Sequence, residues 1–336
     1  MNLEQTGQLR YNIATSSDDT LIPQIAVSLT AMARNLKEAQ IDFYLLHGQV
    51  SAGNINMLSA LCQGLGNISF HQVRVPEPEA YDPLVEAGGW LRETYYPLCA
   101  HELLPDDVDR VLYLDAGDTL VIGDIAPYYT EDFGDAFLIV TGQKYKVVNG
   151  TWLVPEPEDL ENQKEFLPGI LEGLFNSGSY MINLRKMREA GIDLSYYYDC
   201  TERLRGTGFK IKDREMGGDG DICFGDQGLL SAAFIGRLKY FGYPQIRDPW
   251  YNPYNFCIGY YDHFDRKPDY QPAILHFAGV PFKPWKANYP IFPERFKRSG
   301  GTAQELSRLK PLQLEYYFLW LEYLFLTDKV LGMLGI

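Results

Sequence analysis

Apolar and polar positions fall into short blocks that change period along the first quarter of the chain. Tyr11-Asn12-Ile13-Ala14-Thr15 reads as a strand, and Ile22 to Leu36 then carries Ile25, Val27, Leu29, Met32 and Leu36, closer to a helical stripe than to strict alternation. A second unit follows, with a strand from Asp42 to Leu46 and a helix from Asn54 to Leu65, and a third strand runs from Ser69 to Val75. Strands alternating with helices predict a mostly parallel sheet in an α/β fold. After a Pro-rich link from Val75 to Pro83, the pattern predicts a helix over Trp90 to Leu104 and a buried central strand at Arg110-Val111-Leu112-Tyr113-Leu114. Further strands are expected at Ala136 to Val140, Ser179 to Leu184 and Leu275 to Phe277, with a short helix from Gln227 to Phe234.

Beyond Trp285 the character changes. Pro290, Pro293 and Pro311 punctuate a stretch leading to a C-terminal helix, on which Glu315, Glu322 and Lys329 share one narrow stripe while most of the remaining circumference is Leu, Phe, Tyr and Trp. Such a helix must be covered. Docking on its own domain or on a second copy is preferred to peripheral membrane contact, because helices that lie on membranes are usually rich in Lys and Arg. The division expected is a catalytic domain over 1–285 and a helical extension over 286–336.

Composition narrows the function. The chain has 336 residues, 46% of them hydrophobic, enough for a substantial core, and its formal charge of −14 argues against a nucleic-acid partner. A phosphate-bearing ligand would need local positive charge or a metal. Five cysteines, an odd number without a CxxC pair, suggest neither a disulfide framework nor a zinc knuckle, so a cytoplasmic location is expected, with attachment to the inner face of the membrane as a variant. Met1 to Arg10 is polar and unlike a signal segment, and the apolar run Tyr316 to Leu326 is interrupted by Glu322 and too short to span a bilayer.

The chemically loaded position is Asp115-Ala116-Gly117-Asp118, at the end of the expected central strand, where open α/β sheets place functional residues. Two buried carboxylates are costly unless a cation or hydrogen bonds compensate them. They converge on one ion only if the chain turns, which Gly117 permits; otherwise the segment is an Asp-Gly turn whose side chains cap local amides.

The segment RVLYLDAGDTLVIGDI (Arg110 to Ile125) resembles the aspartate motif of family 8 glycosyltransferases, retaining enzymes with the GT-A nucleotide-diphospho-sugar transferase fold. Further resemblances follow in the family's order at NIATSSDDTLIPQIAVSL (Asn12 to Leu29), FNSGSYMINLRKMR (Phe175 to Arg188), GDQGLL (Gly225 to Leu230) and LHFAGVPFKPW (Leu275 to Trp285). Together they cover roughly 270 residues, far more than a lone motif. The resemblance implies a mixed, mostly parallel sheet flanked by helices and a hexose donor bound as a UDP-sugar. It implies Asp115, Asp118 and His276 as metal ligands, with Mn²⁺ better suited than Mg²⁺ to a carboxylate and imidazole set.

By the same resemblance Gly279 and Lys283 hold the diphosphate, and Ala14, Asp18, Asp19 and Thr20 the uridine, although Asp and Thr there also serve as helix N-caps. Asn176, Asp226 and Gln227 line the donor sugar, with Gln227 beside the anomeric centre. An amide is a poor nucleophile, which favours front-face attack over a covalent intermediate. The chain departs from the family in spacing its aspartates as Asp-Ala-Gly-Asp instead of Asp-x-Asp. Pro97 stands where many members carry an Arg, for which Arg92 is the nearest substitute. The expected function is metal-dependent, retaining transfer of glucose or galactose to a glycan or lipopolysaccharide-type acceptor. The alternative is a catalytically degenerate protein that binds nucleotide sugars.

Overall fold

The structure, a computed structural model, describes residues 9–85, 91–141, 175–206, 211–213, 218–220, 225–242, 251–258, 270–278, 283–286, 292–296 and 309–336. Its first part follows the alternating pattern closely: strand β1 (Arg10–Ser16), helix α1 (Ile22–Asn35), strand β2 (Gln40–His47), helix α2 (Ala52–Leu65) and strand β3 (Ile68–Arg74). Then come β4 (Arg110–Leu114), β5 (Thr119–Val121), β6 (Leu138–Val140), β7 (Ser179–Asn183), β8 (Ile211–Asp213), β9 (Gly218–Gly220), β10 (Leu238–Tyr240), β11 (Tyr251–Asn252), β12 (Asn255–Cys257) and β13 (Ile274–His276).

The main sheet has the order β10-β6-β7-β4-β1-β2-β3, parallel throughout except for β7, which runs against both β4 and β6. Every residue of β4 after Arg110 is buried, because the strand faces two cores. Leu112 and Leu114 pack with Ile25, Leu29 and Trp320 on one side, and Val111 and Tyr113 pack with Tyr95, Tyr180 and Leu229 on the other. A continuous apolar run is the sequence signature of a strand covered on both faces.

The smaller sheet, β11-β12-β13-β5, decides where the site lies. β5 leaves directly from the turn after β4 and pairs antiparallel with β13, bringing His276 opposite Thr119. Residues far apart in sequence therefore meet where the two sheets join.

One predicted helix is different. Over Trp90 to Leu104 the chain forms a 3-10 helix, Arg92–Cys99, followed by a single α turn, Ala100–Leu103, with 86–90 outside the described residues. Pro97 lies inside it and lacks the N–H that an α-helix needs there. The C-terminal helix, Pro311–Met333, docks on α1 and α2. Trp320 and Leu324 are buried in the same core as α1, Thr327 donates to the Thr30 hydroxyl at 2.8 Å, and Asn35 donates to the Tyr323 hydroxyl at 2.7 Å. Each fully buried large apolar side chain contributes roughly 1.5–3 kcal/mol. The Glu315, Glu322 and Lys329 stripe is exposed as its spacing predicts, with Phe318 and Phe325 between. Among the described residues no helix is long and apolar enough to cross a membrane.

Candidate active site at the junction of the two sheets

The site is built on the turn that ends β4. Gly117 takes a φ of +67°, reversing the chain between the two aspartates. Gln24 of α1 packs against it so closely that a Cβ on Gly117 would lie 2.5 Å from the Gln24 Cβ. The main chain fixes the turn's ends: Asp115 N–H donates to the Gly178 carbonyl at 3.0 Å, and Phe277 N–H to the Asp118 carbonyl at 2.8 Å.

The three predicted metal ligands are not brought together alike. Asp115 Oδ2 lies 3.5 Å from His276 Nε2, whereas Asp118 turns to Lys283 and forms a direct ion pair with it. Among the described residues no group of three or more His, Cys, Asp or Glu side chains is arranged to hold a metal. The pair that does converge fits a cation as a two-donor set. Adjacent ligands at about 2.1 Å from an octahedral ion are about 3 Å apart, near the observed separation. The separation is also longer than a normal hydrogen bond. Gly178 makes room for the ring, since a Cβ there would fall 2.0 Å from His276 Cε1.

The expected donor-sugar residues surround this pair. Asp226 opens the helix Asp226–Ala233, and its buried carboxylate accepts from Ser177 Oγ at 3.1 Å. Gln227 Oε1 accepts from Ser177 N–H at 3.3 Å. Asn176 Oδ1 accepts from Gly178 N–H at 3.0 Å and from Asn255 Nδ2 at 2.9 Å. Burial, and secondarily the charge of Asp115, pushes the Asp226 carboxyl well above the usual carboxylate range.

That shift has a sign that can be tested. Below the unfolded-state pKa the carboxyl is protonated in both states. As pH rises toward the raised folded value, only the unfolded chain releases its proton, so the contribution of Asp226 to stability is lost. Asp226→Asn should therefore flatten the fall in melting temperature between acidic and neutral pH. An unchanged slope in thermal scans of the variant would contradict it.

The loop after β1 is more engaged than the sequence suggests. Asp18 caps the following turn, accepting from Thr20 N–H at 2.8 Å and from the Thr20 hydroxyl at 2.5 Å. Asp19 Oδ1 accepts from Ser51 N–H, Ser51 Oγ and Asn54 Nδ2 at the start of α2. Ala14 is buried in β1 between Tyr44 and Tyr113. Arg92 pairs with Asp82, and Gly279 lies outside the described residues. Sequence reasoning overlooked Ser177, Gly178 and Asn255. The first two lie inside the quoted FNSGSYMINLRKMR segment, while no periodicity or motif marks Asn255.

A model of glycosyl transferase family 8 matches residues 12–289. The lipopolysaccharide 1,2-glucosyltransferase of Escherichia coli (strain K12) is 25% identical over 186 residues, 53% of this chain and 49% of its own length, so the match spans about half of that relative. Among solved structures, the galactosyltransferase LgtC in complex with donor and acceptor sugar analogues superposes with a TM-score of 0.58 at 23% identity, covering 82% of this chain and 89% of that one. GlyE of Streptococcus pneumoniae TIGR4 gives a TM-score of 0.56 at 19% identity, covering 97% and 63%. At these identities the structural likeness establishes the fold, the GT-A type with a mixed, mostly parallel sheet.

Proposed function

Since the chain belongs to glycosyl transferase family 8, we propose that it transfers a hexose, glucose or galactose, from a UDP-sugar to a glycan or glycolipid acceptor with retention of configuration. The observation that carries this reading is the convergence of Asp115 and His276 beside the Asp118–Lys283 pair, with Asp226, Gln227 and Asn176 around them. A lipopolysaccharide-type acceptor is supported by the name of the Escherichia coli relative.

Asp115 and His276 would hold the divalent cation, Mn²⁺ in preference to Mg²⁺ because an imidazole is in the set. Such an ion supplies Lewis-acid stabilisation of a nucleoside diphosphate leaving group. Lys283 is the local positive charge that a protein of net charge −14 must provide for that group. Asp118 pairs with the same ammonium, so a diphosphate bound there would share Lys283 with Asp118. Ala14, Asp18 and Thr20 line the uridine side, and Asp19 supports that loop from the start of α2. Asn176 and Asp226 orient the sugar. Gln227 offers only a weakly basic amide oxygen at the anomeric side, so no covalent intermediate forms on it, and the departing phosphate takes the acceptor proton.

A UDP-release panel tests the reading with UDP-glucose, UDP-galactose and their N-acetylated analogues, each with Mn²⁺ or EDTA. Release from a hexose donor that EDTA abolishes is the expected result. UDP binding without release from any donor would favour the degenerate nucleotide-sugar binder instead.

A further inference from the structure

Asn255 is fully buried on β12, the strand beside the one that carries His276. Its amide faces two ways. Nδ2 donates to the main-chain carbonyl of Asn176 at 3.0 Å and to Asn176 Oδ1 at 2.9 Å, while Oδ1 lies 2.9 Å from His276 Nδ1. A main-chain carbonyl can only accept, which fixes the orientation of the amide. An amide oxygen likewise can only accept, so His276 Nδ1 carries the proton and, in the neutral ring, Nε2 is a bare lone pair. The Cys257 thiol also lies near Nδ1, at a longer 3.6 Å. Asp115 Oδ2 lies 3.5 Å from Nε2. Two electron-rich atoms this close are unfavourable until a cation sits between them.

We propose that Asn255 is a positioning residue that fixes His276 as the Nδ1–H tautomer, so that Nε2 stands ready as a donor to a divalent cation shared with Asp115. This rests on the reading of Asp115 and His276 as cation donors. The same network ties the tautomer to the partly buried Asn176, and through Asn176 Oδ1 to Gly178 N–H, so the ring, its glycine floor and a sugar-side residue form one connected polar unit.

Long-range ¹H–¹⁵N spectra of the ¹⁵N-labelled, ligand-free full chain at mildly alkaline pH read the tautomer directly. His276 is assigned among the five histidines by its loss in His276→Gln. Wild type should show a protonated Nδ1 and a bare Nε2. Asn255→Ala should shift the ring toward the Nε2–H form and weaken Mn²⁺ binding, followed by the electron paramagnetic resonance of free Mn²⁺, by about 10- to 100-fold. Asn255→Asp keeps an oxygen acceptor for Nδ1 but loses the Nδ2 donor to Asn176, so it should hold the Nδ1–H ring, and thermal melts of both variants separate loss of the tautomer from loss of folding. An Nε2–H ring in wild type, an unchanged ring in Asn255→Ala, or unchanged Mn²⁺ affinity with an altered ring would each overturn the proposal. Failure of wild type to bind Mn²⁺ while keeping the Nδ1–H ring would instead overturn the cation reading, and with it the cation half of the proposal.

Discussion

Asp115→Asn is expected to lower turnover of the preferred donor by about 10³-fold, equivalent to about 4 kcal/mol of lost transition-state stabilisation. The fold should hardly respond. Besides the side-chain contact of Asp115 with Tyr113, two contacts at this position use the main chain of Asp115, from its N–H to the Gly178 carbonyl and from the Thr119 hydroxyl to its carbonyl, and both survive the substitution. Removing the charge also takes away the lesser of the two causes that raise the Asp226 carboxyl, burial being the larger. The melting temperature should therefore stay within about 2 °C of wild type. Single-turnover UDP release and a Mn²⁺ titration on the same preparation give the comparison. Residual turnover above a tenth of wild type, with folding intact, would remove Asp115 from the reaction.

Asp115 was legible in the sequence because local signals agreed there: an apolar run, a carboxylate at its end, and a glycine where the chain must reverse. The alternating strands and helices from β1 to β3, and β4 itself, were readable for the same reason, since their periods come from contacts a few residues apart. The small second sheet was readable in only one strand, expected at Leu275 to Phe277 and found as β13 (Ile274–His276). Its strands are two or three residues long, and their pairing depends on partners brought in from distant parts of the chain. The place of His276 followed from the order of family motifs, yet nothing local revealed that Asn255 would hold its ring. The pairing of Asp118 with Lys283 was equally hidden, because each residue alone suited a phosphate or metal site. The 3-10 geometry of Arg92–Cys99 is a milder case: Pro97 was visible, and the apolar pattern around it outweighed it in the reading.

Gly178 shows how far the site's demands reach into the backbone. Its φ is not in the left-handed region, so conformational freedom does not account for a glycine there; close approach does. A Cβ would lie 2.0 Å from Cε1, 2.4 Å from Nδ1 and 2.7 Å from Nε2 of His276. The ring cannot retreat cheaply, being buried, anchored through Nδ1 to Asn255 and carried on β13. Nor can the glycine, whose N–H is held by Asn176 and whose carbonyl accepts from Asp115. Gly178→Ala should therefore cost about 1–3 kcal/mol of stability. Displacement of the imidazole by about 1 Å should lower turnover by about 10²-fold. The double-mutant cycle with His276→Ala isolates the clash. In that background the added methyl enters the space the ring has left, so Gly178→Ala should cost less than about 0.5 kcal/mol. Equal losses in both backgrounds, measured by denaturant titration, would show that His276 is not what requires a glycine at this position.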